Sequence, residues 1–170
     1  DQSSQYLLSL LNNIMDMSKI ESSKYEINAK PFNISSVLDE VYSVFGATMS
    51  TKGIRLTINS DAVTSPDVIG DEISLRKILN NLLSNANKFT RSGGRVTIFA
   101  SQKQMNEKSS ILHLEVADTG VGISEEFIGH LFEPYTQEMS ENGGRAAGSG
   151  LGMAICKSMI DLQGGSISVR

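Results

Sequence analysis

The sequence is nearly free of cysteine, since Cys156 is the one thiol among its 170 residues. A single cysteine excludes an internal disulfide framework and favours a reducing compartment, so we expect a cytoplasmic domain. Cys156 stands among small and apolar residues of a predicted helix. We interpret it as a core residue, because free cysteines are among the most buried side chains.

Long apolar runs and basic clusters are missing as well. No stretch approaches the ~18 apolar residues that span a bilayer, so we expect membrane contact only through regions outside this chain. The formal net charge is -4 and lysine and arginine form no cluster, which argues against a nucleic-acid partner. Hydrophobic residues make up 39% of the chain and charged residues 20%, which suffices for a packed core.

Apolar periodicity divides the chain into a helical appendage and a mixed domain. Residues 3–25 repeat leucine and isoleucine at helical spacing and predict a long helix with an exposed apolar stripe. The boundary near Tyr25 separates an appendage, residues 1–25, from a domain, residues 26–170. Further helices are predicted at 36–53, 71–89, 124–132 and 151–163, and strands at 26–34, 54–59, 68–69, 95–101, 111–117 and 166–170. This order predicts an α+β sandwich with helices on one sheet.

Two local signals refine these elements. Ser36 and Asp39 resemble a capping box that opens the second helix. Pro31 in the first strand predicts an edge position, because proline cannot donate a hydrogen bond to a neighbouring strand.

The helix at 71–89 contains the stretch NNLLSNANKFT, with four asparagines although asparagine is a mediocre helix former. At roughly 100° per residue, Asn81, Asn85 and Lys88 form a polar ridge, while Asn80 and Asn87 point to solvent. The predicted apolar stripe consists of Leu75, Ile78, Leu79, Leu82, Ala86 and Phe89. Carboxamide oxygens can bind Mg²⁺ and a lysine can meet a phosphate, but a plain solvated surface remains an open alternative for this helix alone.

The segment DTGVGI follows a predicted strand. Asp118 can accept a hydrogen bond from an exocyclic amine, and Gly120 and Gly122 allow the backbone to approach a flat ring. Taken alone, this pattern is also that of an ordinary turn.

A second glycine segment, GSGLG at 148–152, precedes the last helix, whose first N–H groups would face an anion. Arg145 lies just before it and could reach a phosphate. No Lys-Ser/Thr pair follows the glycines, so the segment is not a P-loop, and its late position disfavours a dinucleotide fold. A simple flexible loop remains the alternative.

In order and spacing, these segments resemble the motifs of the ATP-binding catalytic domain of sensor histidine kinases. The matching segments are LRKILNNLLSNANKFT (75–90), DTGVGI (118–123), LFEPYTQ (131–137), GSGLGMAI (148–155) and GGSI (164–167). The stretch at 7–25 resembles the second helix of the dimerization hairpin. The resemblance implies a Bergerat-type two-layer α/β sandwich, with a mixed, mostly antiparallel sheet covered by helices and preceded by one long helix.

The resemblance also implies the ligands, ATP and Mg²⁺, and the roles of individual residues. Asn85 would bind the metal, and Asn81 and Lys88 would be the catalytic residues beside the phosphates. Asp118 would read the adenine amine. The full nucleotide-binding set implied is Asn81, Asn85, Lys88, Phe89, Asp118, Gly120, Gly122, Ile123, Phe132, Arg145, Gly148, Gly150, Leu151 and Gly152.

Asn81 bears on the chemistry, because the ATP-hydrolysing relatives of these kinases generally carry glutamate at the corresponding position. An amide cannot act as a general base near pH 7, so phosphoryl transfer to a protein nucleophile is favoured over hydrolysis. We therefore expect a protein histidine kinase. The alternatives are a degenerate module that binds partners without chemistry and a nucleotide-hydrolysing member of the superfamily.

The two histidines, His113 and His130, are interpreted as a strand residue and a surface helix residue. The expected phosphoacceptor is therefore a histidine outside this chain, on the hairpin of the same kinase, which would be a homodimer in the full protein. The receiver domain of a response regulator is the expected next partner. We expect the chain to be a fragment of a larger, hybrid kinase.

Overall fold

The computed structural model of the chain describes residues 2–138 and 148–170. Its contacts divide the chain into two compact units. The central unit is Asn28–Gly122, and the flanking unit combines the chain up to Ile27 with the chain from Ile123 onward. Each unit is described by itself below.

The helices are α1 (Gln2–Glu21), α2 (Ile34–Thr51), α3 (Glu72–Phe89), α4 (Glu125–Ile128) and α5 (Gly152–Leu162). The strands are β1 (Lys30–Asn33), β2 (Arg55–Ala62), β3 (Asp67–Gly70), β4 (Arg95–Asn106) and β5 (Ser109–Asp118). Glycines and polar turn residues separate these elements, in the order that the sequence predicts.

The central unit contains a mixed sheet in the order β2-β4-β5. Strand β2 runs parallel to β4, with Arg55 opposite Arg95, and β5 runs antiparallel to β4, with Val96 opposite Asp118. A separate antiparallel ribbon joins β1 to β3. Two of the three pairings are antiparallel, as predicted, and Pro31 lies on a strand that pairs on one side only.

Helices α2 and α3 pack with the sheet around one apolar core. Strand β4 contributes every second residue, Val96, Ile98 and Ala100, because successive side chains of a strand point to opposite faces. The core residues of the helices are Ile34, Val37, Leu38, Val41, Met49, Leu79, Leu83 and Ala86. On the outer face of the same sheet, the hydroxyls of Thr57 and Thr97 form a solvent-exposed hydrogen bond of 3.0 Å.

The buried face of α3 differs from the predicted stripe. Leu83, absent from that stripe, is fully buried, whereas Leu75 and Leu82 are half-buried. The core face is therefore turned by roughly 50° around the helix axis toward Asn87. Asn80 is exposed as predicted, but the prediction of a solvated Asn87 is wrong: it is half-buried, and its Oδ1 is buried without a hydrogen-bond partner in the described chain.

The start of α2 was also misplaced by the sequence pattern. The helix begins at Ile34, and its N-cap is Asn33, whose side chain accepts a hydrogen bond from the Ser36 amide at 3.1 Å. The predicted capping box of Ser36 and Asp39 is wrong, because Asn33, one of the strongest N-cap residue types, stands three positions earlier.

The N-terminus of α3 is capped by Asp71. Its Oδ1 accepts from the Ser74 amide at 3.0 Å and its Oδ2 from the Ser74 hydroxyl at 2.8 Å and from the Asn28 amide at 3.3 Å. Burial would raise the pKa of Asp71, but these hydrogen bonds and one from the Ile73 amide outweigh burial and lower it. Asp71 therefore ties the chain before β1 to the helix that carries the asparagines.

In the flanking unit, the long helix α1 packs against α5, and Met17 of α1 is buried. The predicted exposed stripe on α1 is present, since Leu7, Leu11 and Ile14 lie open to solvent. The strand predicted at 166–170 is wrong, because no described strand pairs with these residues. No helix within residues 2–138 and 148–170 is long and apolar enough to cross a membrane.

Candidate functional site

The polar ridge of α3 is present in the central unit, with Asn81, Asn85 and Lys88 about one turn apart. Asn81 and Asn85 are half-buried, because they flank the core face of the helix. The carboxamide of Asn85 makes no hydrogen bond to any residue in the described ranges. Its oxygen can therefore bind a metal ion or accept a hydrogen bond without first losing a partner within those ranges.

Lys88 ends the ridge and lies next to an aromatic ring. Its Nζ is 4.4 Å from the centroid of the Phe89 ring, which is the geometry of a cation–π contact. Partial desolvation lowers the pKa of Lys88. An ammonium that has lost part of its hydration gains more from a nearby anion than a fully hydrated one.

Asp118 stands at the end of β5, close to the C-terminus of α3. Its Oδ1 accepts a hydrogen bond from the Gly120 amide at 2.7 Å, and the Thr90 hydroxyl lies 3.5 Å away. Thr90 itself is only 1% exposed. The second carboxylate oxygen has no hydrogen bond within the described part of the chain, so it can accept from the exocyclic amine of a base.

Gly120 lies between the Asp118 carboxylate and the C-terminal end of α3. A Cβ at this position would lie 2.6 Å from Asp118 Oδ1 and 2.8 Å from the carbonyl oxygen of Phe89. Real Cβ atoms do not approach backbone atoms this closely, so only glycine lets the DTGVGI turn lie on the end of α3. The Asp118 carboxylate and the backbone of Phe89, which follows Lys88 at the end of the ridge, therefore both lie against Gly120.

The flanking unit joins the LFEPYTQ segment to the second glycine segment. The Tyr135 amide donates to the Gly150 carbonyl at 2.9 Å, and Gln137 Nε2 donates to the Gly148 carbonyl at 2.6 Å. Gly150 has φ +70°, and a Cβ on it would lie 2.7 Å from the Thr136 carbonyl oxygen. Hydrogen bonds therefore connect the LFEPYTQ segment directly to the GSGLG segment.

Sequence reasoning missed this structural role of the LFEPYTQ segment. Tyr135 has a positive φ of 64°, a conformation that residue type does not reveal. The sequence does show that the LFEPYTQ segment precedes the GSGLG segment, and this order is the signal that could have suggested a contact between them. Tyr135 and Gln137 hold the two glycines through hydrogen bonds to their carbonyls.

Helix α5 begins directly after these glycines. Leu151 is its N-cap residue, and no side chain makes a capping hydrogen bond there. The Leu151 amide donates to Ser149 Oγ at 3.2 Å. A helix N-terminus without a side-chain cap keeps the positive end of its dipole available to an anion.

The structure distributes the predicted site residues between the two units. The central unit contains Asn81, Asn85, Lys88, Phe89, Asp118, Gly120 and Gly122, and the flanking unit contains Ile123, Phe132, Gly148, Gly150, Leu151 and Gly152. Arg145 lies outside the described residues. Within the described ranges, no group of three or more His, Cys, Asp or Glu side chains could hold a metal ion.

The model of the histidine kinase-, DNA gyrase B- and HSP90-like ATPase family matches residues 70–170, which is more than half of the chain. The chain belongs to this family. The match begins at the end of β3 and includes the ridge of α3, the DTGVGI turn and the GSGLG segment.

Two curated relatives are similar over 99% of the chain. It is 35% identical to the autoinducer 2 sensor kinase/phosphatase LuxQ of Vibrio harveyi over 169 residues and 33% identical to the signal transduction histidine-protein kinase BarA of Escherichia coli K12 over 168 residues. The chain spans about a fifth of the length of each, 20% and 18%.

Among solved structures, full-length ShkA in complex with AMPPNP superposes with a TM-score of 0.77 and 29% identity, over 96% of this chain and 32% of that one. The predicted Bergerat-type fold is thereby confirmed. The prediction of an ATP-binding catalytic domain of the sensor histidine kinase type is confirmed by the family match and the two relatives.

Proposed function

We propose that this domain binds Mg²⁺–ATP and donates its γ-phosphoryl group to a histidine on the dimerization hairpin of the same kinase. The observation that carries the proposal is the Gly120 junction. It holds the free oxygen of Asp118, suited to a base, next to the end of a ridge suited to metal and phosphate.

The ridge residues have separate tasks in this proposal. The amide oxygen of Asn85 would bind Mg²⁺, and Lys88 would pair with a phosphate oxygen as a point charge. Because the described chain offers no cluster of acidic ligands, the metal would take its remaining ligands from phosphates and water. When bound, Mg²⁺ supplies charge neutralisation of the phosphates, which is the main need of phosphoryl transfer.

The base and the phosphates would meet residues around the two glycine segments. Asp118 would accept from the adenine amine, with Gly120, Gly122 and Ile123 along the ring and Phe89 beside the nucleotide. The set from the flanking unit is Phe132, Arg145, Gly148, Gly150, Leu151 and Gly152. The uncapped start of α5 supports a phosphate-facing role for the last of these.

Asn81 favours transfer over hydrolysis. Its side chain has no basic group near neutral pH, so it can orient ligands but cannot take a proton from water. Neither histidine of the chain supplies an alternative: His113 is exposed on β5, and His130 Nδ1 lies 3.1 Å from Glu133 Oε1 on the surface.

The direct test mixes the chain with a purified hairpin that carries the histidine and with γ-labelled ATP. We expect Mg²⁺-dependent labelling of the hairpin, its loss in Asn85→Ala and its retention in the exposed control Asn80→Ala. Intact nucleotide binding without any transfer would contradict the proposal, and phosphate release that depends on Asn81 would favour the hydrolase instead.

The other proposed partner and the proposed location concern the full-length protein. The similarity to sensor kinases supports a response-regulator receiver as the next phosphoryl acceptor and a cytoplasmic place for this domain. The open apolar stripe of α1 supports assigning residues 1–25 to the second hairpin helix and residues 26–170 to the catalytic domain. A truncation that begins at Glu26 should keep nucleotide binding.

A further inference from the structure

The last turn of α3 is held by a side chain from another element. The final carbonyls of a helix have no intrahelical donors, and α3 ends at Phe89. The Thr90 amide satisfies the Ala86 carbonyl at 3.0 Å. The ammonium of Lys52 donates to the next two, the Asn87 carbonyl and, at 3.3 Å, the Lys88 carbonyl.

Lys52 is itself anchored at its backbone. It is the C-cap residue of α2, and its amide donates to the Met49 carbonyl at 3.1 Å. The next residue, Gly53, has φ +76°, and its carbonyl accepts from the Gly93 amide at 2.8 Å. The turn after α2 and the turn after α3 are therefore bonded to each other, and the reach of Lys52 to α3 is set by this link.

Lys52 and Gly120 hold the same short piece of backbone from two elements. Lys52 contacts the carbonyls of Asn87 and Lys88, and Gly120 lies against the carbonyl of Phe89. This piece carries the Lys88 ammonium and the Phe89 ring. A positive group at the C-terminus of a helix also complements the helix dipole.

Asn87 is further evidence that the last turn of α3 is constrained. Its side-chain oxygen is buried without a partner in the described structure, while its backbone carbonyl receives Lys52. An unsatisfied buried acceptor would favour a different arrangement of this turn if nothing held it in place. The Lys52 contact opposes such a rearrangement.

We propose that Lys52 is a positioning residue of the nucleotide site: by capping α3 it fixes where Lys88 and Phe89 meet the nucleotide. This rests on the function proposed above, because it assumes that the end of the ridge binds phosphate and base. Lys52 itself touches no ligand in this assignment. Its removal should therefore weaken nucleotide binding more than it weakens folding.

The test measures the affinity of the full chain for AMPPNP with Mg²⁺ by calorimetry, together with the melting temperature. Lys52→Met should weaken binding about tenfold, since a displaced binding group loses affinity without losing its chemistry. Lys52→Arg keeps a cationic donor and should recover most of the affinity. Lys103→Met removes an exposed lysine of β4 and serves as the charge-matched control, expected to bind like the unmodified chain.

A second comparison separates positioning from general stability. Ile98→Val removes a core methylene of the central unit and should lower the melting temperature without changing AMPPNP affinity. In the nucleotide-free protein, Lys52→Met should speed hydrogen exchange of the Thr90 amide, which bonds to the last turn of α3.

The outcomes are distinct. The positioning role is overturned if Lys52→Met binds AMPPNP within twofold of the unmodified chain. It is also overturned if Ile98→Val loses as much AMPPNP affinity as Lys52→Met does, because the loss would then follow from lower stability. Absence of AMPPNP binding by the unmodified chain overturns the proposed function itself, and with it the role assigned to Lys52.

Discussion

In the central unit, the proposed ligand atoms are side chains of regular elements: Asn85 and Lys88 on α3 and Asp118 at the end of β5. The helix is fixed by its apolar face, on which Leu79 and Leu83 are fully buried. In the flanking unit, the proposed phosphate-facing groups are the backbone N–H groups around Gly148–Gly152.

The difference lies in what holds each region. The central region derives its geometry from packing, whereas the glycine segment derives it from hydrogen bonds to Tyr135 and Gln137 and from a positive φ at Gly150. Truncating a side chain should therefore disturb ligand binding in the central unit, and adding a single methyl group should disturb the structure of the flanking one.

Gly150→Ala should have the largest effect. The new Cβ would lie 2.7 Å from the Thr136 carbonyl, and φ would stay positive, so we expect a loss of roughly 2–4 kcal/mol of stability. Gly164→Ala is the matched control, because Gly164 has φ +71° with open space around it and should show only the smaller cost of φ. Equal urea midpoints for the two variants would show that the close contact is unimportant.

Gly120→Ala tests a place where the proposed site in the central unit also depends on a glycine. Its Cβ would meet the Phe89 carbonyl at 2.8 Å, so the DTGVGI turn must move away from α3. We expect a loss of about 1–3 kcal/mol in stability and at least a tenfold loss of ATP affinity. Gly129→Ala, with open space and an ordinary φ of -63°, should leave both unchanged.

Asn85→Ala should act on binding alone. The side chain is half-buried and has no hydrogen bond to other described residues, so its loss should leave the melting temperature nearly unchanged. Affinity for Mg²⁺–AMPPNP should fall about tenfold or more, as measured by calorimetry with and without Mg²⁺. Asn80→Ala, exposed on the same helix, is the control, and equal losses in both variants would contradict the assignment of the ridge.

Asp71→Asn should give the smallest effect, and one that depends on pH. The lowered pKa of Asp71 means that its charged form stabilises the fold above the ordinary aspartate range, and this contribution is lost as pH falls through the lowered pKa. The free energies of unfolding of the two proteins in urea should therefore differ at pH 7 by about 1 kcal/mol or less, and this difference should shrink as the pH falls below about 4. A difference that persists unchanged at low pH would exclude the charge as its cause.

Much of the central unit could be predicted from the sequence because its signals are periodic. The bounds predicted for α3, 71–89, agree within one residue with Glu72–Phe89. The error in its buried face arose because the fully buried Leu83 was left out of the stripe, while the half-buried Leu82 and the 38% exposed Phe89 were counted as core residues. Helical spacing shows which residues share a face but not how deeply each is covered.

The glycine segments resisted prediction for a different reason. DTGVGI and GSGLG could be identified as motifs, but the bond from Tyr135 to Gly150 joins residues fifteen positions apart through their backbone atoms. Residue type carries little information about such contacts. The strand predicted at 166–170 failed for a related reason, because alternation cannot supply the neighbouring strand that a ladder needs.

The parallel pairing of β2 with β4 has a consequence for how the molecule folds. Parallel neighbours need a crossover, and here the crossover contains β3 and α3, so Arg55 meets Arg95 only after forty residues of chain have been arranged. Closing such a connection is slow, since its entropy is lost before the strands pair. The helix that carries Asn81, Asn85 and Lys88 is thus part of the folding step that closes the sheet, and a chain in which β2 and β4 have paired has already enclosed that helix in its crossover.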